Sequence, residues 1–209
     1  MRTAPRIDRW NAQERKVLDK LTSPAAVQAL LDAMVYSSEP VYRCPRSVLR
    51  DRKAHCMDGA LLAAYALWRL GHRPLLLDLR AVRDDDHVIA PFRGPSGWGA
   101  VAKSNFAGLR YREPIYRTVR ELAMSYFELY FNVRKEKTLR AYSVPVDLRA
   151  VHGDWLYGDE VIEQVVERLD RSRHFPMLSR AAVRGLQPVD DRSYAAGLLG
   201  ANEAGLYQP

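Results

Sequence analysis

Apolar residues recur at helical spacing in two stretches of the first third of the chain. Residues 56–70 carry apolar side chains around nearly the whole helix circumference, which predicts a helix enclosed by the rest of the protein. Gly71 follows this stretch, as glycine commonly follows a helix. Residues 24–36 place apolar side chains three and four apart behind Ser23, a favourable N-cap, and predict an earlier helix.

Shorter apolar stretches further along the chain predict a sheet. Residues 74–82, 87–92 and 98–103 are separated by turn-forming residues and are typical of consecutive strands. A further strand is expected at 139–148, and a helix from Asp159 to about residue 171. Because helices come first and consecutive strands follow, the predicted fold class is α+β, with the buried helix packed on an antiparallel sheet.

The remaining segments give weaker patterns. Apolar spacing predicts a long helix over 114–132, opened by Pro114. Beyond residue 175 the apolar residues have no strong period, which is typical of an arm or a partly ordered tail. We therefore divide the chain into an N-terminal extension (1–22), one folded domain (23–172) and a C-terminal arm or tail (173–209).

The composition is that of a globular protein, with 47% hydrophobic and 27% charged residues among 209. The longest apolar run, 60–68, is about half the length of a bilayer span, and the first residues lack an apolar signal core. These features predict a cytoplasmic protein with no membrane partner.

The net charge is +7, but the basic residues are spread along the chain, so nucleic acid is not the expected partner.

The two cysteines, Cys44 and Cys56, are too few for a disulfide framework and form no C-x-x-C pair for zinc or redox chemistry. Cys44 lies between two prolines and is expected to be structural. Cys56 opens the buried helix, where unpaired N–H groups and partial positive charge favour a thiolate. Because the helix dipole contributes only roughly 0.3–1 kcal/mol, an activated thiol also needs a nearby imidazolium.

His87 is the histidine best placed to act as a base for Cys56. It begins a strand of the sheet on which the buried helix should pack. His55 is adjacent to Cys56 in sequence and would not face it, and His72 lies beyond the far end of the same helix. His152 and His174 occupy positions typical of solvated side chains. A third group would orient the ring, and the candidates in order of preference are Asn105, Ser104 and Asp78.

The residues around Cys56 resemble the nucleophile helix of transglutaminase-like proteins of bacterial type. In that family the cysteine is followed by an acid two residues later and an alanine four residues later, here Cys56, Asp58 and Ala60. A Leu-Gly pair closes the helix, here Leu70 and Gly71. His87 resembles the family's histidine, and Trp98 resembles the tryptophan before its third catalytic residue. The resemblance covers about residues 23–106.

The resemblance implies a papain-like fold carrying thiol acyl transfer, with no cofactor and no metal. Cys56 would attack the carbonyl of a peptide or amide substrate, His87 would take and return the proton, and the acyl group would pass to water or an amine. The family usually has aspartate as third member, whereas this chain offers Ser104 and Asn105. A papain-like Cys-His-Asn arrangement is one resolution of that difference.

A second class of function is compatible with the same sequence. A noncatalytic transglutaminase-like binding or scaffold module would use its basic surface for a protein or nucleic-acid partner. The sequence leaves the substrate and the oligomeric state open.

Overall fold

A computed structural model describes residues 9–209, which form a mixed helix and sheet fold of the α+β class. The helices are α1 (Ala12–Asp19), α2 (Pro24–Asp32), α3 (Pro45–Asp51), α4 (Cys56–Arg69), α5 (Val119–Met124), α6 (Ile162–Asp170), α7 (Arg180–Arg184) and α8 (Asp191–Gly197). Short 3-10 turns lie at Ala107–Leu109, Phe127–Leu129, Leu148–Ala150, Asp159–Val161 and Glu203–Gly205.

The strands build one large antiparallel sheet and one small parallel pair. They are β1 (Val35–Tyr36), β2 (Lys53–Ala54), β3 (Leu75–Ala81), β4 (His87–Arg93), β5 (Trp98–Val101), β6 (Arg112–Tyr116), β7 (Leu139–Ser143), β8 (Val146–Asp147) and β9 (His174–Pro176). The large sheet has the order β6-β5-β4-β3-β7-β9, with β8 also paired to β3. The predicted α+β class and the antiparallel sheet are therefore confirmed.

Helix α4 lies at the centre of the fold, as its apolar circumference predicts. Every residue from Met57 to Leu67 is buried. The helix packs against α2, α3 and β4. At its start the His55 ring accepts a hydrogen bond from the Met57 N–H, while Asp58 accepts one from the His55 N–H at 3.3 Å. No helix within residues 9–209 combines the length and apolarity needed to cross a membrane.

The sheet separates two hydrophobic clusters. Side chains of β3 and β4 that pack with α4 include Leu76, Val88, Ala90 and Phe92. Those on the opposite face, which include Leu77, Leu79 and Ile89, pack with the α5 region and with Tyr126 just after it. In the register of β3 and β4, Asp78 pairs with Val88 and Leu79 pairs with His87. Because alternate residues of a strand face opposite sides, Asp78 lies on the α4 face and His87 on the α5 face.

The predicted long helix over 114–132 is wrong. Pro114 lies instead in β6, an edge strand, where its missing N–H needs no partner. Thr118 then caps α5, its hydroxyl accepting from the Glu121 N–H at 3.1 Å. The apolar side chains of this region belong to a strand, a short helix and a 3-10 turn that contribute to one hydrophobic cluster. Their combined spacing in the sequence matches the period of a single helix.

Smaller corrections concern where elements end. The strand expected at 139–148 is divided into β7 and β8, with Val144 and Pro145 between them. The helix expected to reach Tyr36 ends at Asp32. The helix expected from Asp159 begins with a 3-10 turn before α6.

The segments assigned to an extension and an arm are integrated with the domain. Trp10 and Leu18, around α1, are each 1% exposed in the main core. The C-terminal segment contributes β9 to the large sheet and buries Met177 and Val189. Residues 1–8 of the predicted extension lie outside the described residues.

Candidate functional site

A cleft of about 550 Å³ opens at the N-terminal end of α4. Its walls include the three residues of the predicted site, Cys56, His87 and Asn105. The two alternatives for the third position, Ser104 and Asp78, also line it. The fold therefore brings the sequence-predicted residues into one cavity, although each has its own hydrogen-bond partner.

The Cys56 sulfur lies against the main chain on both sides of His87. Its thiol is 3.8 Å from the carbonyl oxygen of Asp86, and the Val88 N–H donates to the sulfur. Burial raises the pKa of the Cys56 thiol to about 12, and the N–H groups of Val88 and Met57 offset only part of that effect. The resting cysteine is therefore a thiol at neutral pH, contrary to the expected thiolate.

The His87 ring lies in a buried aromatic environment on the α5 face of the sheet. Its centroid is 6.3 Å from the ring of Tyr126 and 6.3 Å from that of Tyr130. Nε2 lies 2.8 Å from the carbonyl oxygen of Leu109. Because a carbonyl oxygen only accepts hydrogen bonds, Nε2 carries the proton and Nδ1 is the basic nitrogen of the neutral ring. Burial lowers the pKa of His87 to about 4, so the ring is neutral at pH 7.

The group that orients His87 is the Leu109 carbonyl, and Asn105 has a different role. The Asn105 side chain donates to the Asn202 carbonyl at 2.9 Å and accepts from the Asn202 N–H at 2.7 Å. The Ser104 hydroxyl accepts from the Phe106 N–H at 3.0 Å. A main-chain carbonyl can belong to any residue, so no signal in the sequence could have identified Leu109.

The C-terminal segment forms one wall of the cleft. Residues 204–207 line it, and the preceding Asn202 donates from its side chain to the Tyr36 carbonyl at 3.3 Å. Gly205 packs so closely that a Cβ there would lie 2.9 Å from the Tyr36 ring. The segment predicted as an arm or tail is thus part of the candidate site.

The cleft is acidic although the chain is basic. Its walls carry six carboxylates, Glu39, Asp78, Asp84, Asp85, Asp86 and Asp170, and no lysine or arginine among the residues described. The loop 84–86 is fixed by hydrogen bonds, with Thr138 donating to Asp84 at 2.6 Å and the Ala81 N–H donating to Asp86 at 2.7 Å. Burial raises the pKa of Asp84 to about 6. This lining disfavours anionic groups in the cleft.

The fold forms a buried carboxyl–imidazole pair that no pattern in the sequence indicated. His174, which was expected to be solvated, has Nε2 2.8 Å from Oδ2 of Asp78, and their side chains are 10% and 3% exposed. Nδ1 of His174 lies 2.8 Å from the Ser172 carbonyl oxygen. The pair depends on β9 lying beside β7, which in turn lies beside β3. That long-range pairing leaves no local pattern in the sequence.

Among residues 9–209, no group of three or more His, Cys, Asp or Glu side chains is arranged to hold a metal ion. In comparisons with known proteins, the chain matches no protein-family model and no curated protein.

Proposed function

We propose that this protein is a transglutaminase-like cysteine enzyme that cleaves or transfers an amide or peptide bond, with Cys56 as nucleophile and His87 as base. One observation carries the proposal: in a cleft at the start of a buried helix, the Cys56 sulfur lies against the peptide groups on both sides of His87. The proposal includes a papain-like core, in which the cysteine helix packs on an antiparallel sheet and the histidine begins a strand.

The first step is a proton transfer between neutral groups. As the Cys56 sulfur bonds to the carbonyl carbon of the substrate, the thiol proton moves to Nδ1 of His87. The Leu109 carbonyl, which accepts from Nε2–H at 2.8 Å, stabilises the imidazolium that forms. The Val88 N–H, which points at the sulfur, is the donor we assign to the developing oxyanion.

The second step releases the amine. The proton on Nδ1 of His87 passes to the nitrogen of the scissile amide, the C–N bond breaks, and a thioester on Cys56 remains. Water or an amine then receives the acyl group. A cytoplasmic location, where thiols stay reduced, suits a free cysteine nucleophile.

The experiment that tests the proposal looks for the thioester. Protein treated with p-nitrophenyl acetate should carry one acetyl group on Cys56, located by mass spectrometry of the intact protein and its peptides. Cys56→Ser should lose this acetyl group, and Cys44→Ser, which removes the buried second cysteine, should keep it. An unmodified Cys56 in the native protein would contradict the proposal, and the noncatalytic module would then be favoured.

A further inference from the structure

The proposed acylation steps leave the buried pair of Asp78 and His174 unused. Asp78 lines the cleft and is 2% exposed. It is the register partner of Val88, whose N–H donates to the Cys56 sulfur. Because directly paired residues of antiparallel strands have Cα atoms about 4.5–5.5 Å apart, Asp78 lies next to the Val88 main chain that contacts the sulfur, and its side chain is on the α4 face of the shared cleft. His87 lies on the other face of the sheet.

A chain of hydrogen bonds from the Ser172 carbonyl through the His174 ring fixes the position of the Asp78 carboxyl group. The Ser172 carbonyl accepts from Nδ1–H of His174, and when Asp78 is ionised Nε2–H of the same ring donates to Oδ2 of Asp78 at 2.8 Å. The ion pair with Arg80, at 3.8 Å, uses the same Oδ2. The Ser143 hydroxyl accepts from the Asp78 N–H at 2.9 Å and fixes the strand. These contacts occupy Oδ2 and leave Oδ1 as the oxygen for a group in the cleft.

We propose that Asp78, positioned by His174, is the general base that activates the water which removes the acyl group from Cys56. This inference rests on the proposed thioester. Asp78 takes one proton from the water as its oxygen bonds to the thioester carbon, and the C–S bond then breaks. The departing sulfur takes the proton back from Asp78, so that a carboxylic acid and the Cys56 thiol result. His87 and Asp78 thus serve the two half-reactions from opposite faces of the sheet.

The charged groups around Asp78 suit it to this task. Burial raises the pKa of Asp78 to about 6. The negative charge of Asp86 contributes to this rise, whereas the hydrogen bond from His174 and the positive charges of His174 and Arg80 oppose it. A base with a pKa close to the working pH is both ionised and able to hold a proton. The rate of thioester hydrolysis should therefore rise with pH through about 6.

The test follows the two half-reactions separately with p-nitrophenyl acetate. The burst of p-nitrophenolate measures acylation of Cys56, and the loss of the acetyl group from the intact protein measures deacylation. Asp78→Asn should leave the burst rate within about 2-fold and slow deacylation by roughly 10²–10⁴-fold. Hydroxylamine, a nucleophile that needs no base, should restore deacylation. The control Asp147→Asn removes a carboxylate of the same sheet outside the cleft and should deacylate normally.

A second variant tests the positioning role. His174→Gln keeps a donor but removes the imidazole, so the pKa of Asp78 should rise and the inflection in the deacylation rate should move to higher pH. Deacylation at the native rate in Asp78→Asn, or burst and deacylation slowed by the same factor, would overturn the inference. If Asp78→Asn does not fold, an unmoved inflection in His174→Gln overturns it. Absence of a thioester on native Cys56 would instead refute the proposed function, and the inference with it.

Discussion

Nε2 of His87 lies 2.8 Å from the carbonyl oxygen of Leu109, and this hydrogen bond fixes which ring nitrogen can act as a base. Because the carbonyl only accepts, the proton is on Nε2 and the free lone pair is on Nδ1. In the proposed mechanism, a main-chain carbonyl therefore takes the orienting role that a side chain has in the Ser-His-Asp triad.

We expect the buried His87 to make stability depend on pH. Burial lowers its pKa from 6.5 to about 4, so between these values the unfolded chain binds more protons than the folded one. Stability should therefore fall as the pH falls through this range, by roughly 3 kcal/mol in total from this residue. His87→Gln, which keeps a donor for Leu109, should lack this part of the pH dependence. Urea unfolding at several pH values measures the free energy of unfolding of both proteins. Equal pH dependence in the native protein and His87→Gln would show that His87 does not have a lowered pKa in the folded state.

Asp58 should be a structural residue of the α4 start. It is fully buried and accepts from the Arg43 N–H at 2.8 Å and from the His55 N–H at 3.3 Å. Asp58→Ala would leave buried donors without an acceptor and should reduce the free energy of unfolding by about 2–4 kcal/mol. Asp58→Asn keeps one acceptor oxygen, so its loss should be smaller. Equal stabilities of Asp58→Ala and the native protein in urea would refute this role.

Asn105 should hold the C-terminal segment and should not orient His87. Asn105→Ala removes both hydrogen bonds to Asn202. Amide exchange at Asn202 should then speed up by roughly 10- to 100-fold, because two hydrogen bonds contribute about 1–3 kcal/mol. Hydrogen exchange with mass spectrometry measures this change. A large loss of Cys56 acylation with unchanged exchange at Asn202 would instead support the Cys-His-Asn arrangement.

The acidic lining of the cleft should select substrates by charge. Cys56 should be acylated faster by the p-nitrophenyl ester of acetyl-lysine than by that of acetyl-glutamate, by about 10-fold or more at low salt. The ratio should fall as ionic strength rises, because salt screens exposed charges. The uncharged acetyl-norleucine ester, similar in size, provides the reference rate. A ratio near one at low salt would show that the carboxylates do not act on the substrate.

The parts of the fold that the sequence predicted well are those encoded by local patterns. Helix α4 begins at Cys56 and β4 at His87, as expected, because an all-round apolar helix and short bounded strands have distinct signatures. The region around Pro114 was mispredicted because a strand and two short helical segments shared one apolar cluster.

The candidate site shows the same division between local and long-range information. Cys56, His87 and Asn105 could be found because their residue types and positions are visible in the sequence, and all three line the cleft. Their hydrogen-bond partners are main-chain groups of other segments: the Leu109 carbonyl for His87 and the Asn202 main chain for Asn105. Neither kind of partner leaves a pattern in a single sequence.

Whether His87 is the base for Cys56 is decided by one measurement, the rate of Cys56 acylation by p-nitrophenyl acetate as a function of pH in the native protein and in His87→Ala. With Nδ1 of His87 as base and its pKa lowered to about 4, the native rate should be nearly constant across neutral pH. In His87→Ala the rate at neutral pH should fall by about 10²–10⁴-fold and climb with pH, because only the thiolate then reacts. His152→Ala, which alters an exposed histidine, serves as the control. Identical rates and pH profiles for the native protein and His87→Ala would show that His87 is not the base for Cys56.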